Sequence, residues 1–309
     1  MSDAIILHHY DTSPFSEKIR VLFGLKGMAW TSVHVPNMMP KPDFTPLSGG
    51  YRRTPALQIG ADVYCDTQVM MAEIERRCAT PSMVPDDAAG LVWPINWWAD
   101  RLFFQTTVPI IFGALGDKTP EAFIKDREKL SGRPFDVAAM KGAIGPMKQQ
   151  WRSQMGWLEA QLAASKSGWL VGKRPSLADA AAYMNVWFLA RNLPDVVAEL
   201  TTDMPHIAAW RAMVEAFGHG RPTEMDGPTA LAVAKAATPL GTEIHDEADP
   251  LGVKVGEAVT VMADDYGRDQ VKGTLVAANR ERIVISRNDP AVGTVHIHFP
   301  RTGYFAFPG

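Results

Sequence analysis

The first 80 residues change hydrophobic period in an order that few folds can satisfy. Residues 4–10, "AIILHHY", form a short apolar run of strand length. Ser13 and Pro14 follow, a side-chain acceptor at N-cap and a proline at N1 that needs no N–H donor. Ile19, Leu22 and Phe23 then recur at helical spacing, with Gly24 or Gly27 to end the helix. "WTSVHVP" reads as a second strand, parallel to the first if the helix is a crossover. The stretch "PNMMPKPDFTPLSGGYRRTP" is loop for most of its length. "ALQIG" and "DVYC" form a hairpin about Gly60 and Ala61, and Asp66 or Thr67 caps a helix that turns Met70, Met71 and Ile74 inward. The order is βαβ, then ββα.

From residue 88 to 217 the pattern is helical. "PSLADAAAYMNVWFLARN" places Ser176 at N-cap and Asp179 at N3, a reciprocal capping pair. Ile207, Trp210, Val214 and Phe217 give another inward stripe. Residues 218–249 are rich in Gly, Pro, Ala and Thr and read as a linker or extended wrap, with one short helix near 230–237. From 250 to 309 the period becomes two: "EAVTVMA", "VKGTLVAA", "RIVISR" and "TVHIHF" predict a small antiparallel β domain, similar in outline to an SH3-like small barrel. So small a unit is expected to pack against the helices and to stand apart from any chemistry in the first 80 residues.

Composition restricts the partners. The net charge of −3 gives no general attraction to nucleic acid or an anionic membrane, and residues 245–309 carry fewer basic than acidic residues, 7 against 9. No apolar run approaches the roughly 18 residues of a membrane helix, and "MSDAIILHHYD" lacks the features of a signal peptide. Cys65 and Cys78 are too few for a disulfide framework, so a cytoplasmic setting is expected. His296 and His298 share one strand face, but no third ligand accompanies them and zinc is not expected.

Four motifs in sequence order carry a family resemblance. Ser13-Pro14-Phe15-Ser16 begins the first helix, Thr54-Pro55 precedes the third strand, Asp66-Thr67 follows the hairpin, and "LVGKRPSLADAAAY" lies in the helical region. Together they resemble the glutathione transferase family over residues 4–217. The resemblance implies a thioredoxin-like glutathione-binding domain over 1–80 and an all-helical domain over 88–217, assembled as a homodimer. The strands beyond 250 lie outside that plan.

On this resemblance the chain is a serine-type glutathione transferase, attacking a small electrophile with bound thiolate. A free thiol ionises near 8.5, so the thiolate needs stabilising at neutral pH. Ser13 would donate to it at a helix start whose N–H groups and dipole favour the same charge; the plainer reading of Ser13 is a helix cap. Tyr10 is a rival donor. Ser16 cannot resolve a disulfide, which argues against thioredoxin-like exchange. Thr54 and a cis Pro55 would present backbone to the cysteinyl part of glutathione, Asp66 would take its α-amino group, and Thr67 its γ-glutamyl carboxylate. The glycyl carboxylate needs a cation from Lys41, Arg52 or Arg53. Trp97, Arg101 and Phe104 are candidates for the electrophile side, and Cys65 for a mixed disulfide. Two other readings are a glutathione-binding or scaffold protein with little turnover, and a glutathione-dependent isomerase or lyase.

Overall fold

The computed structural model describes residues 4–241 and 244–309. The first unit runs β1 (Ile6–His9), α1 (Pro14–Leu25), β2 (Ala29–His34), α2 (Thr45–Ser48), β3 (Ala56–Ile59), β4 (Asp62–Cys65) and α3 (Thr67–Arg77). β1 pairs in parallel with β2 and antiparallel with β3, and β3 pairs antiparallel with β4. This is the thioredoxin-like arrangement expected from the βαβ–ββα order. A helical unit follows: α4 (Ala89–Trp98), a π-helical stretch (Ala99–Phe103), α5 (Phe104–Leu115), α6 (Glu121–Ser131), α7 (Val137–Ala164), α8 (Leu177–Asn192), α9 (Pro194–Leu200) and α10 (Pro205–Glu215).

The two units are locked together by a buried charge. Lys18 on α1 is fully buried, and its Nζ donates to Asp100 at 2.7 and 2.8 Å and to Asn96 at 3.0 Å. A buried ammonium is tolerable only when paired and hydrogen-bonded in this way. The pair fixes the start of α1 against α4 and the π stretch, which frames a cleft between the units. At the start of α8 the capping box of Ser176 and Asp179 is present. Asp179 also accepts from the Leu170 amide at 3.0 Å and from Trp210 Nε1 at 2.9 Å, tying the helices behind it.

Residues 218–249 hold the short helix expected near 230–237 and, beyond the expected linker, a strand. They contain β5 (Arg221–Glu224), parallel to β2, and α11 (Gly227–Ala236), with Ala230 and Ala234 buried. The strand is four residues of "RPTE" with every side chain exposed, so no hydrophobic pattern announces it. Positions 242 and 243 of that segment lie outside the described residues.

The last five strands are β6 (Ala258–Ala263), β7 (Val271–Ala278), β8 (Arg282–Asp289), β9 (Gly293–Pro300) and β10 (Tyr304–Pro308). β6 to β9 are the strands that the alternation predicts and β10 adds a fifth, but their main seat is not on the helices. β9 pairs in parallel with β4, Val63 opposite Ile297, giving one ten-stranded sheet in the order β10-β6-β7-β8-β9-β4-β3-β1-β2-β5. The physical reason is that β4 would otherwise be a bare edge whose side chains are all buried, and β9 supplies the missing backbone partners. His298 seals the joint: it is buried, hydrogen-bonds Asp62 Oδ1 at 2.8 Å and stacks on Tyr64 with centroids 4.3 Å apart. No helix among the described residues is long and apolar enough to cross a membrane.

Candidate functional site: a cleft between the first two units

Ser13 caps α1 with extended backbone, φ −78° and ψ 121°, and its Oγ accepts from the Ser16 amide at 3.1 Å. It is 1% exposed. Burial pushes the Tyr10 hydroxyl up from its usual range, opposed in part by the Arg127 charge. Ser13 therefore sits behind the cleft surface, while Phe15, two residues on, forms part of its wall.

The Thr54-Pro55 peptide is cis, and both residues line the cleft. So do Asp66 and Thr67 at the start of α3. Asp66 has φ +90°, a region few non-glycine residues occupy and one that tends to mark functional sites. Its Oδ1 accepts from the Gln68 amide at 2.9 Å, and its Oδ2 accepts from the Tyr304 hydroxyl at 3.1 Å. Tyr304 OH is also 3.0 Å from Tyr51 OH.

The three cations of the loop before β3 have separate fates. Lys41 donates to Thr54 Oγ1 at 2.6 Å and to the Arg52 carbonyl at 2.9 Å, and burial lowers its pKa to about 8. Arg52 pairs with Asp126 of α6 at 2.8 Å. Only Arg53 of the three reaches the cleft. There its Nη2 meets Asp265 Oδ1 and the Tyr266 carbonyl, and the Tyr266 ring lies 4.4 Å from the guanidinium. Burial disfavours the Arg53 charge, but Tyr304, Tyr266, Tyr51 and Asp265 outweigh it and hold its pKa above the ordinary value.

The opposite wall comes from α4 and the π stretch: Trp97, Asp100 and Arg101. Single π turns inside helices recur at functional sites. Arg101 lies 4.2 Å over the Trp97 ring, with Nη2 at 2.6 Å from Asp264 Oδ1 and Nη1 at 3.0 Å from Asp265 Oδ2. Phe104 packs edge-on against Phe15 at 4.9 Å instead of lining the cleft. Cys65 is fully buried, and burial pushes its thiol well above the usual range, the opposite of a reactive cysteine.

The β6–β7 and β9–β10 turns close the cleft from above. Gly303 has φ +88°, and a Cβ there would meet Arg101 Nη2 and the Trp97 ring at 2.8 Å; only glycine permits that approach. In the other turn the Gly267 amide donates to the Leu130 carbonyl of α6 at 2.8 Å. A cavity of about 50 Å³ is left inside, room for a few waters. Ligand pockets are typically about 300 Å³ or larger.

Comparison with known proteins fits this geometry. Residues 7–82 match the description "Glutathione S-transferase, N-terminal domain", and residues 126–212 match the corresponding C-terminal domain. The crystal structure of a GST-like protein from Pseudomonas syringae is 35% identical, covers 100% of both chains and superposes with a TM-score of 0.83. The chain belongs to the glutathione S-transferase family. "FtsZ-localized protein A" of Caulobacter vibrioides is 26% identical over 193 residues, which is 60% of this chain and 78% of that protein. A glutathione S-transferase from Methylobacterium radiotolerans, solved with glutathione sulfonate, shares the fold at 17% identity and TM-score 0.51, over 72% of this chain and 97% of that one.

For a glutathione S-transferase family member, the C-terminal strands are the unexpected part of the site. Asp265, Tyr266, Thr302 and Tyr304 all line the cleft and none was singled out from the sequence. The one local signal is "DDYGRD", which reads equally well as a hairpin turn. Tyr51, in the Pro-rich loop, was likewise silent.

Proposed function

We propose that the cleft binds glutathione and that the protein is a serine-type glutathione transferase acting on a small electrophile. The observation that carries the reading is convergence: Arg53, Thr54, Pro55, Asp66 and Thr67 bring a cation, a carboxylate and a hydroxyl to one cleft. A peptide with a free amino group and two carboxylates needs that set. The residues present fit glutathione chemically. When bound it supplies the thiol, and the chain's part is to orient it toward the N-terminus of α1, where the Ser13 hydroxyl and the helix dipole would favour the anion. Trp97 and Arg101 flank the electrophile's side. Calorimetry with glutathione, followed by turnover assays over varied electrophiles, tests the reading. Binding with turnover supports it, and absence of binding removes it. Light scattering on the same sample tests the accompanying homodimer, expected at twice 33.9 kDa.

A second reading, a binding or scaffold protein with little turnover, draws on a specific observation. Ser13 is 1% exposed, lies behind the cleft surface, and its Oγ already accepts from the Ser16 amide. The likeness to FtsZ-localized protein A points the same way. Glutathione binding without turnover of any electrophile would favour it.

A further inference from the structure

The cleft is filled by charges that match what a peptide ligand would bring. Asp265 uses both carboxylate oxygens, Oδ1 on Arg53 from the first unit and Oδ2 on Arg101 from the helical unit. Among the described residues it is the carboxylate that joins Arg53 to Arg101, since Asp264 reaches Arg101 alone. At the other end the Tyr304 hydroxyl donates to Asp66 Oδ2, the place where an amino group would donate. The close approach of Gly303 to Trp97, and the bond from Gly267 to Leu130, press these turns home.

We propose that Arg53 and Arg101 form a carboxylate seat, that Asp265 occupies it as an internal ligand, and that a carboxylate-bearing ligand enters only by displacing the β6–β7 turn. The inference rests on the reading of the cleft as a glutathione site, and it adds the seat, its second arginine and its self-occupation. The apparent affinity for glutathione is then the intrinsic affinity reduced by the fraction of molecules with the turn displaced. Without Asp265, Arg53 would have no carboxylate partner among the described residues and Arg101 would keep Asp264 alone, so the pair should take up a small carboxylate of the size removed.

The test uses the full chain with Asp265→Ala and, to keep the side-chain shape, Asp265→Asn. Calorimetry should give a glutathione Kd at least about tenfold lower in both variants than in the parent protein. Thermal melting provides an arm independent of glutathione. Asp265→Ala should melt lower than the parent, and formate should recover part of that loss, while chloride at the same ionic strength should not. Equal glutathione affinity in parent and variants overturns the self-occupation. Formate acting no better than chloride overturns the seat. If formate rescues but no protein binds glutathione, the seat stands and the glutathione reading falls.

Discussion

Ser13 already has a structural duty before any thiol arrives: its Oγ accepts from the Ser16 amide at 3.1 Å. That bond uses a lone pair of the hydroxyl and leaves its proton to be donated to a thiolate at the helix start. Ser13→Ala should therefore lower turnover roughly tenfold to a hundredfold, as a pKa rise of one to two units in the bound thiol would require. It should also cost about 1 kcal/mol of stability through the lost cap. Tyr10→Phe keeps the ring and should leave turnover close to that of the parent. Ultraviolet titration of the bound thiol separates the two. A large loss in Tyr10→Phe, with the thiol pKa unmoved in Ser13→Ala, would transfer the role to Tyr10. Caps such as Ser13 and Asp66 were legible because they are local. The fates of Lys41, Arg52 and Arg53 were not, because three nearby cations in one loop look alike. What separates the two arginines is a carboxylate 74 residues away for Arg52 and 212 residues away for Arg53.

At the scale of elements, β1 is tied sideways by polar side chains as well as by its ladder. Arg20 donates to His9 Nδ1 (3.1 Å), so His9 Nε2 carries the proton and donates to Ser32 Oγ (3.0 Å). Ser32 in turn donates to Glu224 Oε2 at 3.1 Å, which runs one donor chain through α1, β1, β2 and β5. Burial holds the His9 pKa down at about 3, helped by Arg20, His34, His8 and His219, and burial holds His8 at about 4 against its bond to Gln58. Both rings are neutral in the fold, while the unfolded chain binds protons below about 6.5. Stability is thus complete above pH 6.5 and falls as the pH drops toward the folded values. Each ring contributes a slope of about 1.4 kcal/mol per pH unit in that window. In urea unfolding between pH 6.5 and 5, His9→Gln should reduce the slope by close to one proton; an unchanged slope would show that His9 does not fold neutral. The sequence revealed β1 as apolar, yet gave no sign of this chain of donors. Its far end lies in β5, a strand with no buried side chain to betray it.

The whole molecule is organised by one sheet that crosses what the sequence divides into separate units. Periodicity located β6 to β9 well, since alternation is a property of each strand alone, but it missed β10. Their seat was hidden, because the partner of β9 is decided by which edge lies bare in the assembled fold. A chain ending at Ala237 would uncover β4, where Val63 and Tyr64 are now at most 1% exposed, and would strand Asp62 without His298. Such a chain should melt lower and scatter more light on warming than the full protein, because an apolar open edge templates association. A truncated chain as stable and as monodisperse as the parent would refute the structural weight given to that joint. The turn at Gly303 has a further consequence, and it is optical. It holds a glycine and a guanidinium against the Trp97 indole, which shields part of the ring from water. Whatever lifts the strands away hydrates that ring and moves its fluorescence to longer wavelength. The difference spectrum against Trp97→Phe would then follow opening in real time, with the protein as its own unlabelled reporter.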